Sequence, residues 1–226
     1  MAGSVIDNIK EHIENGQHFL LSGGAGSGKT YTLMQVLDVI FEKKPFANVA
    51  CITYTNVAVD EIKHRSPYDK LRVSTIHDFL WDTIKSYQKD LKKSLLELIE
   101  KENKVEKTGI KYSGEAILSK EHFSDKEIQY KEYRIIEEGI ISHSDVLKLA
   151  NYLFQNNSLL CSILKDQYDY ILVDEYQDTF KSVIDIFLEF LPAETKRKNV
   201  IGFFGDSMQA IYDEGVGNIS SYIKSG

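Results

Sequence analysis

Eight consecutive residues concentrate the chemistry of this chain: Gly23-Gly24-Ala25-Gly26-Ser27-Gly28-Lys29-Thr30. They match G-x-x-x-x-G-K-[ST] in full. Glycines in such a loop let successive backbone N–H groups turn inward and form an anion nest at a helix N-terminus. The lysine reaches the β- and γ-phosphates, and the hydroxyl after it ligates Mg²⁺. Gly24, Ala25, Gly26, Ser27, Gly28, Lys29, Thr30 and Tyr31 are therefore the candidate nucleotide-binding residues. A second cluster, Asp174-Glu175, ends the apolar run Tyr170-Ile171-Leu172-Val173. Phosphoryl transfer to water needs one acid to hold the metal and one to orient and deprotonate the water. Asp174 is the expected metal ligand beside Thr30, and Glu175 the expected base. Alone, Asp-Glu at a helix start is an ordinary complement to the helix dipole. Its pairing with the phosphate loop selects the chemical reading.

The elements that position these groups follow from hydrophobic patterning. His18 to Leu21 reads as a short strand before the loop, and residues 30–42 as a helix with Leu33, Val36, Leu37 and Ile40 on one face. Val49 to Ile52 is a second strand, 57–65 a second helix and Leu71 to Thr75 a third strand. Residues 146–154 are helical, Tyr170 to Val173 forms a strand, 180–190 a helix, and Val200 to Phe204 a last buried strand. Strands alternating with helices predict an α/β fold, a parallel sheet flanked by helices. Between these halves, Lys89 to Lys107 is rich in Lys and Glu/Asp around Leu91, Leu95, Leu98 and Ile99, an amphipathic exposed helix. Residues 85–140 thus read as a small, mostly helical insertion between a first part (1–84) and a second part (141–226) of one α/β domain.

The ordered motif set resembles the first motor domain of UvrD/Rep-like superfamily 1 DNA helicases. Asp174-Glu175-Tyr176-Gln177-Asp178-Thr179 is similar to that family's D-E-[FY]-Q-D-T box. Thr53 to Ile62 resembles T-F-T-N-x-A-A-x-E-M, and Ser74 to Phe79 resembles T-x-H-S-F. Ser144 to Leu147 resembles part of D-F-D-D-L-L, and Gly205 to Tyr212 resembles G-D-x-x-Q-x-I-Y. The resemblance covers about 17–90 and 141–215. It implies a RecA-like P-loop NTPase, ATP with Mg²⁺ as cofactors, and ATP seated at the carboxyl ends of the strands. It implies a catalytic set of Lys29, Glu175 and Gln209, with Gln209 contacting the γ-phosphate. Gln177, Asp178 and Asp206 would couple that site to the other motifs. Thr55, Asn56, Thr75, His77 and Tyr212 would bind single-stranded DNA. It further implies a second RecA-like domain carrying the arginines that stabilise the transferring phosphoryl group. Such an arginine is worth about 10³–10⁵ in rate, so this chain by itself is expected to bind nucleotide and hydrolyse it poorly.

Two departures stand out. The family reads adenine with a glutamine upstream of the phosphate loop, and residues Ile6 to His12 contain none. After Ile211-Tyr212 the family's F-R-G is replaced by Asp213-Glu214-Gly215, two acids that would repel phosphates.

Composition bounds the rest. The chain has 226 residues, a formal net charge of -7, 42% hydrophobic and 27% charged residues. These are ordinary globular values, and the acidic balance excludes coating of nucleic acid by bulk charge. No stretch approaches the ~20 apolar residues of a membrane span, so a soluble cytoplasmic protein is expected. Cys51 and Cys161 sit in apolar runs and read as buried free thiols. The first functional expectation is an ATP-dependent helicase or translocase motor domain. The second is a nucleotide-gated module that recruits a nuclease or other protein without unwinding.

Overall fold

The computed structural model describes residues 5–24, 27–104, 106–191, 199–206, 219 and 223. In chain order its elements are α1 (Val5–Asn15), β1 (Phe19–Ser22), α2 (Lys29–Lys43), β2 (Val49–Thr53), α3 (Asn56–Arg65), β3 (Leu71–Thr75), α4 (Ile76–Ile84) and α5 (Gln88–Lys104). Then come β4 (Gln129–Tyr130), β5 (Ile140–Ile141), α6 (His143–Asn156), α7 (Ser158–Gln167), β6 (Tyr170–Asp174), α8 (Lys181–Asp185) and β7 (Val200–Gly205). Two compact units result, residues 1–76 with 161–226, and residues 77–160. The second unit is larger than the 85–140 insertion read from sequence, because the flanking helices belong to it: α5 packs on α6.

The first unit is built on a five-stranded, wholly parallel sheet in the order β1-β7-β6-β2-β3. All residues of β2, β6 and β7 are buried, as a parallel sheet covered on both faces requires. One face carries Phe19, Val49, Cys51, Tyr170, Leu172 and Phe204, packed with Ile9 and Ile13 of α1, Leu33, Val36, Leu37 and Ile40 of α2, and Val59 and Ile62 of α3. Alternation along the strands sends Ile171, Val173, Ile201 and Phe203 to the other face, where they too are buried. At the join of β1 and β7 a side chain is not admissible: a Cβ on Gly202 would stand 2.3 Å from the Phe19 ring. That ring instead meets Phe204 edge-on at 5.9 Å.

The register places the chemistry. Ser22 pairs with Gly205, and Asp174 with Phe204. The carboxyl ends of β1, β7 and β6 therefore lie side by side. The ladder continues one residue further, where Gly23 N–H donates to the Gly205 carbonyl at 3.0 Å.

In the second unit most regular structure is helical. Leu91, Leu95, Leu98 and Ile99 form the buried side of α5, and Val146, Leu147, Leu149, Ala150, Leu153 and Phe154 that of α6. The acid-base-rich helix ends at Lys104, short of the expected Lys107; Gly109 follows at φ 74°. Ser142 and Asp145 start α6 with a reciprocal capping box. The short β4 and β5 pair in parallel. Among the described residues no helix is long and apolar enough to cross a membrane. Cys51 and Cys161 are buried and not joined in a disulfide; burial, then the charge of Asp174, pushes the Cys51 thiol up.

Candidate nucleotide-binding site

The turn from β1 into α2 is shaped by its glycines. Gly28 caps α2 at φ 82°, a left-handed conformation that costs a side chain but not glycine. Gly23 lies so close to Ser27 that a Cβ would come within 2.6 Å of its hydroxyl. Ser27 N–H donates to the Gly24 carbonyl at 3.1 Å. Ala25 and Gly26 fall outside the described residues. Lys29 opens α2 with its side chain only 9% exposed. Its ammonium donates to the Gly23 carbonyl at 3.1 Å and stands 3.8 Å from Glu175 Oε2. Three donors on an ammonium leave capacity for phosphate oxygens. Thr30 and Tyr31 follow in the first turn of the same helix.

Asp174 is the last residue of β6 and is 5% exposed. Burial, reinforced by the charge of Glu175, pushes its carboxyl up to about 6; the Glu175 N–H bond to Oδ1 (3.1 Å) and Lys29 pull the other way. This is a desolvated carboxylate short of positive charge. The folded pKa lies above the unfolded one, so the stability of the neutral form is complete below about pH 4 and is lost as pH rises through 6. Asp174→Asn is therefore expected to stabilise the nucleotide-free protein at pH 8, by on the order of 2 kcal/mol. Thermal melts should show that gain shrinking to nothing near pH 4. A gain independent of pH would deny the buried charge its role.

Glu175 has φ 50° and ψ 47°, the left-handed region, and among the described residues it is the non-glycine residue with positive φ. Such a conformation costs on the order of 1 kcal/mol and collects at functional sites. It turns the carboxylate out of the strand toward Lys29. A short turn, Tyr176–Asp178, comes next. Gln177, 3% exposed, makes two bonds from one amide: Nε2 donates to Glu175 Oε2 at 2.5 Å, and Oε1 accepts from Asp206 N–H at 3.0 Å. Asp206 is the first residue after β7. Its backbone, Gln177 and Glu175 thus form one connected chain ending at Lys29. Asp178 closes the turn, its N–H donating to the Glu175 carbonyl at 3.1 Å.

The donor set accords with Mg²⁺. Thr30 and Asp174 offer hard oxygens, and among the described residues no group of three or more His, Cys, Asp or Glu could hold a metal alone. Mg²⁺ suits such a sparse site because it keeps waters and phosphate oxygens in its shell.

The expected nucleic-acid residues are less united. Thr55 and Asn56 are exposed at the start of α3, where Thr55 Oγ1 accepts from Ala58 N–H at 3.2 Å as a helix cap. Thr75, the last residue of β3, is 7% exposed and in register with Thr53. It supports the strand end rather than presenting itself to solvent. His77 belongs to the second unit. Its ring meets that of His143 edge-on at 5.1 Å. Burial and then His143 push its pKa down to about 4, against Asp78. His77 is thus neutral at pH 7 and brings hydrogen bonding, not charge. Gln209 and Tyr212 lie outside the described residues. The sequence offered Gln177 and Asp206 as coupling residues but not the bond that joins them; the signal for it was Gly205, a strand-end glycine that leaves room for the Gln177 amide.

A parallel sheet with a phosphate loop and an acidic pair at adjoining carboxyl ends is a RecA-like P-loop α/β fold. A family profile described as "AAA domain" matches residues 7–214. The chain is 30% identical to Gabija protein GajB of Bacillus cereus (strain HuB5-5), over 98% of this chain and 45% of that protein. It is 27% identical to a probable DNA helicase II homolog of Mycoplasma capricolum subsp. capricolum, over 84% of this chain and 32% of that protein. With the ATP-dependent DNA helicase Rep of Buchnera aphidicola subsp. Schizaphis graminum it shares 26% identity, over 91% of this chain and 37% of the helicase. The chain spans less than half the length of each of these relatives. It belongs to the AAA-domain family and, within it, to the N-terminal motor domains of UvrD/Rep-like superfamily 1 helicases.

Proposed function

We propose that this domain binds and hydrolyses ATP with Mg²⁺ as the first half of a motor that tracks single-stranded DNA. The convergence of Lys29, Asp174 and Glu175 at adjoining strand ends supports the reading, with Lys29 Nζ 3.8 Å from Glu175 Oε2. Lys29 turns from the Gly23 carbonyl to the β- and γ-phosphates. Thr30 and Asp174 hold Mg²⁺, which when bound neutralises phosphate charge. Glu175 orients the attacking water and accepts its proton. Gln177 fixes the Glu175 carboxylate, and Asp206 anchors Gln177 through its backbone N–H. Gln209 contacts the γ-phosphate, Asp178 supports the turn, and Thr55, Asn56 and Tyr212 serve the DNA strand, with Thr75 holding the end of β3 behind them. A second RecA-like domain supplies the missing arginine.

The acidic charge of -7 and Asp213-Glu214 favour a second reading, a nucleotide-gated module that recruits a nuclease or another protein. Titration with a single-stranded oligonucleotide separates the two. A DNA motor should bind with log affinity falling by about 0.7 per phosphate contacted for each unit of log salt, and the oligonucleotide should raise ATP hydrolysis. ATP binding with neither response would overturn the motor reading and favour the module.

A further inference from the structure

Thr53 has no part in the reading above, yet it ends β2 directly beside the acid expected to hold the metal. β2 and β6 run in register, Val49 with Tyr170 and Cys51 with Leu172, and these four share the sheet face that packs on α2. Ile52 pairs with Val173, so the next pair is Thr53 with Asp174. Alternation along both strands returns them to the α2 face. The two side chains therefore stand next to each other at adjoining carboxyl ends, one strand spacing of about 4.8 Å apart. The electrostatics agree: the charge of Asp174 acts on Cys51, two residues back along that face.

Thr53 is 2% exposed. A hydroxyl buried this deeply is costly unless it is hydrogen-bonded, and among the described residues the Thr53 hydroxyl has no such bond. Valine would fill the same space and suit the strand as well without that cost. The Asp174 carboxylate takes one bond, from Glu175 N–H to Oδ1, and Oδ2 takes none among the described residues. A hydroxyl and a carboxylate oxygen set side by side can share one water, since the hydroxyl donates or accepts and the carboxylate accepts.

We propose that Thr53 is a positioning residue of the nucleotide site: together with Asp174 it holds one water of the Mg²⁺ shell, and so fixes that carboxylate for the metal. The proposal rests on the phosphate-loop reading and deepens it. Mg²⁺ keeps several waters and is bound by few protein groups. Side chains that hold a ligating carboxylate in place typically contribute about 10–100-fold to metal affinity.

A Mg²⁺ titration of the chain with the non-hydrolysable β,γ-imido analogue of ATP tests this on the native protein, on Thr53→Val and on Thr53→Ser, beside thermal melts without nucleotide. Valine keeps the shape and removes the hydroxyl; serine keeps the hydroxyl. Thr53→Val should raise the Mg²⁺ concentration for half-maximal binding by about tenfold or more. Its binding of the analogue in EDTA should equal the native value, because the phosphate loop is untouched. Its melting midpoint without nucleotide should hold or rise, since a hydroxyl with no partner has no bond to lose. Thr53→Ser should keep the native Mg²⁺ requirement. An unchanged Mg²⁺ requirement in Thr53→Val, or a serine variant as defective as the valine one, would overturn the proposal. So would a lowered midpoint or weaker binding in EDTA for Thr53→Val, each the mark of a structural role. Failure of the native chain to bind the analogue at any Mg²⁺ concentration would instead overturn the phosphate-loop reading, and the proposal with it.

Discussion

Glu175→Gln is expected to lower single-turnover ATP hydrolysis by about 10²–10⁴-fold, the usual contribution of a positioned general base, while ATP binding persists or tightens. The argument starts from the backbone. Glu175 sits at φ 50° just after β6, so its side chain leaves the strand direction and faces Lys29. Glutamine has the same length and can keep a hydrogen bond to Gln177, so the local geometry should survive. It cannot accept a proton from water. It also withdraws a negative charge lying 3.8 Å from the Lys29 ammonium, which leaves that ammonium freer for phosphate and removes repulsion of the triphosphate. Separate measurements of equilibrium binding and of the chemical step read the two effects apart. Native turnover in Glu175→Gln would move the base to another residue. Loss of binding would mean that Glu175 serves to hold nucleotide.

The pattern of what was legible follows from which forces are local. The strands around Phe19, Val49, Tyr170 and Val200 announced themselves because a covered parallel sheet demands continuous apolar runs, while the edge strand Leu71–Thr75 alternates and is only partly buried. The phosphate loop was legible because backbone N–H convergence requires glycine at fixed spacings. Three helices were not foreseen: α1, α4 and α7. In α1 the signal was present, Ile6, Ile9 and Ile13 at helical spacing, but short and lacking a strong cap. The second unit reaches beyond the 85–140 insertion for a non-local reason: α5 ends at Lys104 and α6 begins only at His143, yet the two pack together. Strand order was likewise invisible. Nothing in the chain says that β7 inserts between β1 and β6, yet this insertion brings Asp206 beside both the phosphate loop and Asp174. The Gln177 bridge depends on it and could not be read before it.

That bridge gives the second large expectation. Gly205→Ala should reduce hydrolysis strongly and lower the thermal midpoint, while tripolyphosphate binding is retained. A Cβ at Gly205 would lie 2.1 Å from Gln177 Oε1 and 2.6 Å from the Tyr176 ring. Tyr176 cannot yield easily: it is fully buried and meets Phe203 edge-on at 6.2 Å. Overpacking of this kind costs about 1–3 kcal/mol. Gln177 is the softer neighbour, and moving its amide breaks the bonds to Asp206 N–H and Glu175 Oε2 together. The carboxylate then loses its fixed direction, although the phosphate loop is untouched. The double variant with Gln177→Ala distinguishes the two costs. If the bridge carries the effect on rate, Gly205→Ala should add little to the hydrolysis defect of Gln177→Ala, a non-additivity expected of residues in contact. Independent, additive defects would separate Gly205 from the bridge and leave its role purely steric, against Tyr176.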